Sequence, residues 1–369
     1  MLEQIKKARK FLDAEKPAAA LKILAGLKKN ETCAEALFLR GEAWRQAGEF
    51  NNALACYDRG LKLKSCGREL RLEILIKKAA ASRALGLTSA ALKAAGSALI
   101  LARSSGFFIP EAELELALAH RLAGNFSRAE PALKRLHVLY RRRGDWEAVS
   151  FVLWSLGGLW RLQGRYKLSI KAFEGSAAFA AKAGDKAARG YALFGLGGVK
   201  RVAGHIESAL KPYREARAMF SGSSDIFARA YAECGMSNVL RQLGRLDEAL
   251  KGYKRAHKLY SAIKDGPDLG FVEWGIGEVY KKRGELAKAE GAFKRAEKLF
   301  SSGFGRSVGQ RPLGRHPRWI EPRGIILTKL SMAQVNYLLG NTAKAEKLHF
   351  TALKEARRHG LYTYLEVFT

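Results

Sequence analysis

Seven cationic side chains recur at one place in a repeating pattern. Arg45, Arg83, Arg121, Arg161, Arg201, Arg241 and Lys281 each stand three residues before a glycine. A planar guanidinium grips carboxylate or phosphate through two parallel hydrogen bonds, so this row is a candidate for holding an acidic chain. Upstream of four of these glycines the same bookkeeping finds aromatics. Phe151, Tyr191, Tyr231 and Phe271 lie thirteen residues before, and Trp154, Phe194, Cys234 and Trp274 lie ten before. Six before stand Gly158, Gly198, Asn238 and Glu278. These offsets share one stripe of a helix. Aromatic side chains supply large rigid contact area, which suits an interface, or they pack on a neighbouring helix. Glu42 and Glu278 sit three residues before Arg45 and Lys281 and can neutralise them. Arg83, Arg121, Arg161, Arg201 and Arg241 have Ala80, Leu118, Gly158, Gly198 and Asn238 there, so that internal partner is missing and an external one is expected.

Other chemistry is poorly supplied. Gly303, Gly305 and Gly309 make a glycine-rich stretch, but it follows no strand pattern and lacks the Gly-Lys-Ser/Thr ending of a phosphate loop. The seven histidines are scattered, without metal-ligand spacing to a carboxylate. Cys33, Cys56, Cys66 and Cys234 form no CxxC pair and read as reduced thiols. No nucleophile has an evident base. The expectation is a chain that is not an enzyme and needs no cofactor or metal.

The balance of 65 Lys and Arg against 35 Asp and Glu, a net charge of +30, gives a field that attracts acidic proteins or nucleic acid. Residues 301–323 concentrate it: Arg306, Arg311, Arg315, Arg318 and Arg323 surround Trp319, with Pro312, Pro317 and Pro322 against regular helix. This segment reads as a basic loop, either a solvated excursion or an arm onto a polyanion. No run of about 18 apolar residues is present to span a membrane, and Met1–Lys7 has no signal-peptide core, so a cytoplasmic location is expected.

What must position these side chains is a repeated helical hairpin. The glycines fall at 48, 86, 124, 164, 204, 244, 284 and 340, at intervals of 38 and then 40 residues, the last interval longer by 16. An amphipathic stretch precedes each, for example 146–163, and another follows, for example 165–182. Glycine lets the chain reverse between them. Asp145, Asp185, Asp225 and Asp265 stand where successive hairpins begin and predict helix N-caps. One hairpin cannot bury its apolar face alone, but stacked neighbours can.

This pattern resembles the tetratricopeptide repeat family. That family's small residue seven before the turn is met by Gly41, Ala79, Ala117, Gly157, Gly197, Ser237, Gly277 and Ala333. Its alanine five after is met by Ala53, Ala91, Ala129, Ala209, Ala249, Ala289 and Ala345, with Ser169 in the remaining copy. Its aromatic nine after is met by Tyr57, Phe173, Tyr213, Tyr253 and Phe293, while Ala95, Leu133 and His349 depart. A weaker first copy occupies about 2–29, and the longer repeats are similar in length to those of the LGN/Pins class of polarity adaptors. The resemblance implies an all-α, right-handed α-solenoid of about nine helix-turn-helix repeats, one domain over 1–369 with the loop inserted before the last repeat. It also implies that the first helix of each pair lines a concave inner face, turning the aromatic and basic stripes into a peptide-binding groove. First helices about 10 Å apart and an extended ligand rising about 3.3 Å per residue give one rail arginine for roughly every third ligand residue. A protein partner with an acidic segment is the expected ligand. RNA binding through groove and loop is a second reading, and a peptide-sensing regulator a third. The apolar 361–369 stretch covers the last repeat or meets another chain, and the oligomeric state is left open.

Overall fold

The computed structural model describes residues 2–27, 33–301 and 322–358, and every regular element among them is an α-helix. They fall into two compact units, Met1–Gly144 and Asp145–Thr369. The first holds α1 (Leu2–Asp13), α2 (Pro17–Ala25), α3 (Ala34–Gln46), α4 (Phe50–Lys62), α5 (Arg68–Ala84), α6 (Thr88–Ser105), α7 (Ile109–Leu122) and α8 (Phe126–Arg143). The second holds α9 (Trp146–Leu162), α10 (Tyr166–Ala183), α11 (Lys186–Val202), α12 (Ile206–Phe220), α13 (Ile226–Gln242) and α14 (Leu246–Ala262). It continues with α15 (Gly266–Lys282), α16 (Leu286–Ser301), α17 (Pro322–Leu338) and α18 (Thr342–Arg358).

Odd and even helices pair antiparallel in sequence order, giving the tetratricopeptide helical array that the repeat pattern implies. All eight turn glycines have positive φ, from 70° to 86°, the left-handed region that a side chain resists. The four aspartates cap as expected: Asp145, Asp185, Asp225 and Asp265 accept from the backbone N–H of Ala148, Ala188, Ala228 and Asp268 at 3.0, 2.8, 2.9 and 3.3 Å. The first pair turns without glycine, its left-handed residue being Glu15. Helix ends shift by a residue from the sequence reading at Leu162, Tyr166 and Ala183.

What locks one repeat to the next is a ring between two residues without side chains. A Cβ on Gly197 would lie 2.6 Å from the Tyr213 ring of its own repeat, and one on Gly235 would lie 2.2 Å from the other edge of that ring, from the next repeat. Tyr253 is approached to 2.5 Å by Gly275, and Phe173 to 3.0 Å by Gly157 and 2.2 Å by Gly195. A second row of rings does the same, with Phe300 between Gly270 and Gly324. Interiors packed this densely leave no room for even one added methyl.

Of the expected basic loop, Ser301 closes α16 and Pro322 and Arg323 open α17, with proline at the helix start, where its missing N–H costs nothing. Arg306, Arg311, Arg315, Arg318 and Trp319 lie outside the described residues, as does 361–369.

Candidate ligand-binding face

In the second unit the first helices of successive repeats touch one another, α9 to α11, α11 to α13, α13 to α15 and α15 to α17, as well as their own partners. The second helices make no comparable contact among themselves. First helices crowded on one side and second helices splayed on the other describe a curved stack whose inner face belongs to α9, α11, α13, α15 and α17. The aromatic stripe and the basic residues from Arg161 to Lys281 sit on these helices, while Arg45, Arg83 and Arg121 lie on α3, α5 and α7 of the first unit.

The stripes do not share one fate. Phe151 is 42% exposed and stacks on half-buried Trp154 at 6.0 Å. Tyr191 is half-buried and donates its hydroxyl to Asp225 at 2.9 Å. Tyr231 and Phe271 are half-buried, leaning on Phe194 and Phe300. Phe194 and Trp274 are core residues instead, 3% and 5% exposed. Phe194 stacks between Phe220 and Tyr231. Trp274 donates its indole N–H to Ser331 at 3.0 Å and lies under the Arg241 guanidinium. The rim expected of these two positions is therefore interior, because the next repeat closes over them. A helical stripe in the sequence does not distinguish a neighbouring helix from a ligand.

The basic row also divides. Arg45 pairs with Glu42 and Lys281 with Glu278, each at 2.8 Å, as the spacing foretold. Arg83, expected to lack an internal partner, has one: Glu115 of α7 lies 3.2 Å away, 32 residues on. Only the tertiary stack brings that acid near. Burial pushes the Glu115 carboxyl up, and the Arg83 charge opposes the shift. Arg121 is half-buried on α7 in the first unit, and Arg201 half-buried on α11 in the second. Arg241 is 4% exposed, directs Nε at the Tyr253 hydroxyl and stacks on Trp274, so it is structural. Arg161 stands apart. Among the described residues no carboxylate lies within ion-pair distance of it, and its Nε is buried without a hydrogen-bond acceptor.

Arg161 acts on polar groups of the repeats that follow it, the Tyr213 and Tyr231 phenols. The charges of Arg161 and Arg201 both act on the Tyr213 phenol, which burial and nearby Tyr231 push upward against them. Burial, then the Asp268 carboxylate, pushes the Cys234 thiol up to about 12, so it is neutral and unreactive at physiological pH. Tyr253 donates its hydroxyl to Asn238 Oδ1 at 2.7 Å, and its phenol is pushed up to about 12 by burial. Asn238, assigned to the groove by its offset, thus has its carbonyl oxygen taken by a tyrosine of its own repeat. Among the described residues no cluster of three or more His, Cys, Asp or Glu could bind a metal.

Two features escaped the sequence reading. Glu113, Glu233 and Glu273 of first helices pair with Arg135, Arg255 and Arg295 of the following helices, always in the same register about the turn. The signal was there, an acid eleven before and an arginine eleven after the glycine. The first unit also has a recess of its own, where Phe38, Ile76 and Phe108 are ringed by Asp13, Glu73 and Glu111 with Lys77. Burial pushes the Glu73 carboxyl up there. The recess of the first unit is thus not uniformly basic.

Tetratricopeptide-repeat family models match residues 5–65 and 228–302. No curated protein matches the sequence. Among solved structures the chain is similar to the apo form of the quorum sensor NprR from B. thuringiensis, with a TM-score of 0.68 at 11% identity over 96% of this chain and 97% of that one. It is similar to a Rap protein complexed with competence and sporulation factor, with a TM-score of 0.65 at 15% identity over 80% and 84%. It is also similar to aspartyl phosphate phosphatase F from Bacillus subtilis, with a TM-score of 0.60 at 13% identity over 85% and 96%. At these identities the likeness is one of fold. None of them bears on the likeness to the LGN/Pins class.

Proposed function

Taking a chain built of tetratricopeptide repeats as the premise, we propose that it is a non-enzymatic binding scaffold that holds an acidic segment of a protein partner on the first-helix face of residues 145–358. The observation that carries this reading is Arg161, a guanidinium on the inner face with no carboxylate of its own among the described residues. Three members of the basic row are neutralised in place, Arg45 with Glu42, Arg83 with Glu115 and Lys281 with Glu278. A cation spared that treatment, on the same helix as the exposed ring of Phe151 and the half-buried ring of Trp154, offers a ligand one charged grip with aromatics further along the helix. Two of the structural neighbours are named for signal recognition, a quorum sensor and a Rap protein in complex with a sporulation factor. A ligand-sensing role on this same face agrees with those names.

The test is selection from a random decapeptide library on the intact chain. Recovered peptides should be rich in Asp and Glu, and Arg161→Glu should weaken their binding at least tenfold, about 1.4 kcal/mol. Recovery of no peptide, or of peptides indifferent to the charge reversal, overturns the reading. A 20-nucleotide single-stranded RNA serves as competitor. If RNA bound more tightly than the selected peptides, with affinity falling steeply in salt, the nucleic-acid reading would replace this one.

A further inference from the structure

In four repeats the residue six before the turn glycine carries an oxygen acceptor that its surroundings claim, one of them Gln334, which accepts Lys281. Glu42 accepts the Tyr57 hydroxyl and the Arg45 guanidinium. Asn238 accepts the Tyr253 hydroxyl at 2.7 Å. Glu278 accepts Lys281 at 2.8 Å and the Ser331 hydroxyl at 2.7 Å. The repeat turning at Gly204 keeps the tyrosine and arginine of the Glu42 repeat, as Tyr213 and Arg201, but has Gly198 where the acid would stand.

Two observations show what this leaves. Tyr213 is only 3% exposed, yet its hydroxyl makes no hydrogen bond among the described residues. The ring is seated in the core while the hydroxyl keeps its donor uncommitted among the described residues, so an incoming acceptor finds it available. In addition, a Cβ built on Gly198 would lie 3.5 Å from Arg161 Nη1 and 3.6 Å from the Tyr213 hydroxyl oxygen. Those are ordinary contact distances, unlike the 2.6 Å collision at neighbouring Gly197. Two polar ends from different repeats converge on one glycine, and a methyl-sized group fits between them without collision.

We infer that Gly198 marks a subsite for one carboxylate of the ligand, an Asp or Glu side chain, which accepts from the Tyr213 hydroxyl and the Arg161 guanidinium in the place that Glu42 fills within its own repeat. The chain supplies the acid itself in one copy of the pattern and takes it from outside in another. Carboxylate is favoured over phosphate because the sister site is filled by a carboxylate and offers the same phenol and one guanidinium. The inference rests on the groove reading for the ligand being a peptide, but the carboxylate subsite has its own readout.

That readout is fluorine NMR of the full chain with 3-fluorotyrosine at position 213. Titration with N-acetylglutamate N-methylamide should give a saturable shift, and the glutamine counterpart should give none. Gly198→Glu should carry the resonance to the saturated position without ligand and abolish the response, while Gly198→Gln controls for bulk. A resonance indifferent to the glutamate compound, or equally responsive in Gly198→Glu, overturns the subsite. So does inorganic phosphate acting at a lower concentration. With library-selected peptides, Gly198→Glu and Tyr213→Phe should each weaken binding at least tenfold while thermal melts show a folded chain. Peptides that depend on Arg161 but ignore both substitutions would leave the groove standing and remove the subsite.

Discussion

The hydroxyl of Tyr253 donates to Oδ1 of Asn238, fifteen residues earlier, at 2.7 Å across the interface of α13 and α14. The Tyr253 hydroxyl oxygen in turn accepts from Arg241 Nε at 3.4 Å, which ties the helix pair to the cation stacked on Trp274 of the next repeat. Tyr253→Phe removes the centre of this network and strands two buried groups. It should cost about 1–3 kcal/mol in urea unfolding. Asn238→Ala in the same background should cost less than it does alone, because the two share one interaction, and a double-mutant cycle measures the difference.

The glycines that clasp each ring make a sharper prediction. A methyl at Gly235 would stand 2.2 Å from Tyr213, whereas one at Gly198 meets nothing closer than 3.5 Å. Gly235→Ala should therefore destabilise by about 1–3 kcal/mol through overpacking. Gly198→Ala should be neutral or stabilising by up to about 1 kcal/mol, since alanine is the better helix former. Paired thermal melts compare them, and equal effects would contradict the packing described.

Aspartate caps should be separable from the groove. Asp185→Ala removes an acceptor 2.8 Å from the Ala188 amide and should cost about 1 kcal/mol of stability. It should leave the affinity for any selected acidic peptide unchanged within twofold.

Phe151 and Trp274 occupy different stripes of the same face and should behave as different kinds of residue. Trp274→Ala opens a cavity and leaves the Ser331 hydroxyl without its indole donor, so it should cost about 3–5 kcal/mol. Phe151 is 42% exposed, and Phe151→Ala should cost under about 1 kcal/mol while weakening peptide binding.

Glu49 gives a pH signature. It is 8% exposed at the start of α4 with no ion-pair partner among the described residues, and burial pushes its carboxyl up. A carboxyl raised in the folded state keeps its proton longer there than in the unfolded chain. It therefore subtracts stability as pH rises through and above the ordinary glutamate range. Glu49→Gln should stabilise at neutral pH, and the gain should vanish below the ordinary glutamate pKa.

The backbone plan was legible because single residues enforce it. Turn glycines at positive φ and aspartates facing helix amides act over four residues or fewer, a range that spacing alone can show. The face was legible only as a stripe. Phe151 stays at the surface and Arg161 is half-buried, but Phe194 and Trp274 on the aromatic stripe are covered by the next repeat. Arg83 finds its acid 32 residues away on α7, a distance at which helical spacing says nothing. The tyrosine hydroxyl that lacks an acceptor was likewise hidden. It shows only when Gly198 is compared with Glu42 in space rather than along the chain.

Each clasped ring belongs to two repeats at once. The Tyr213 phenol is seated partly by α11 and partly by α13, so loosening α13 bares one side of a ring that α12 still carries. Rupture within 145–358 should then run inward like a seam, each lost hairpin weakening the hold on the one before it. Under a steady pull from the α18 end, the force trace should step down in hairpin-sized lengths rather than break once.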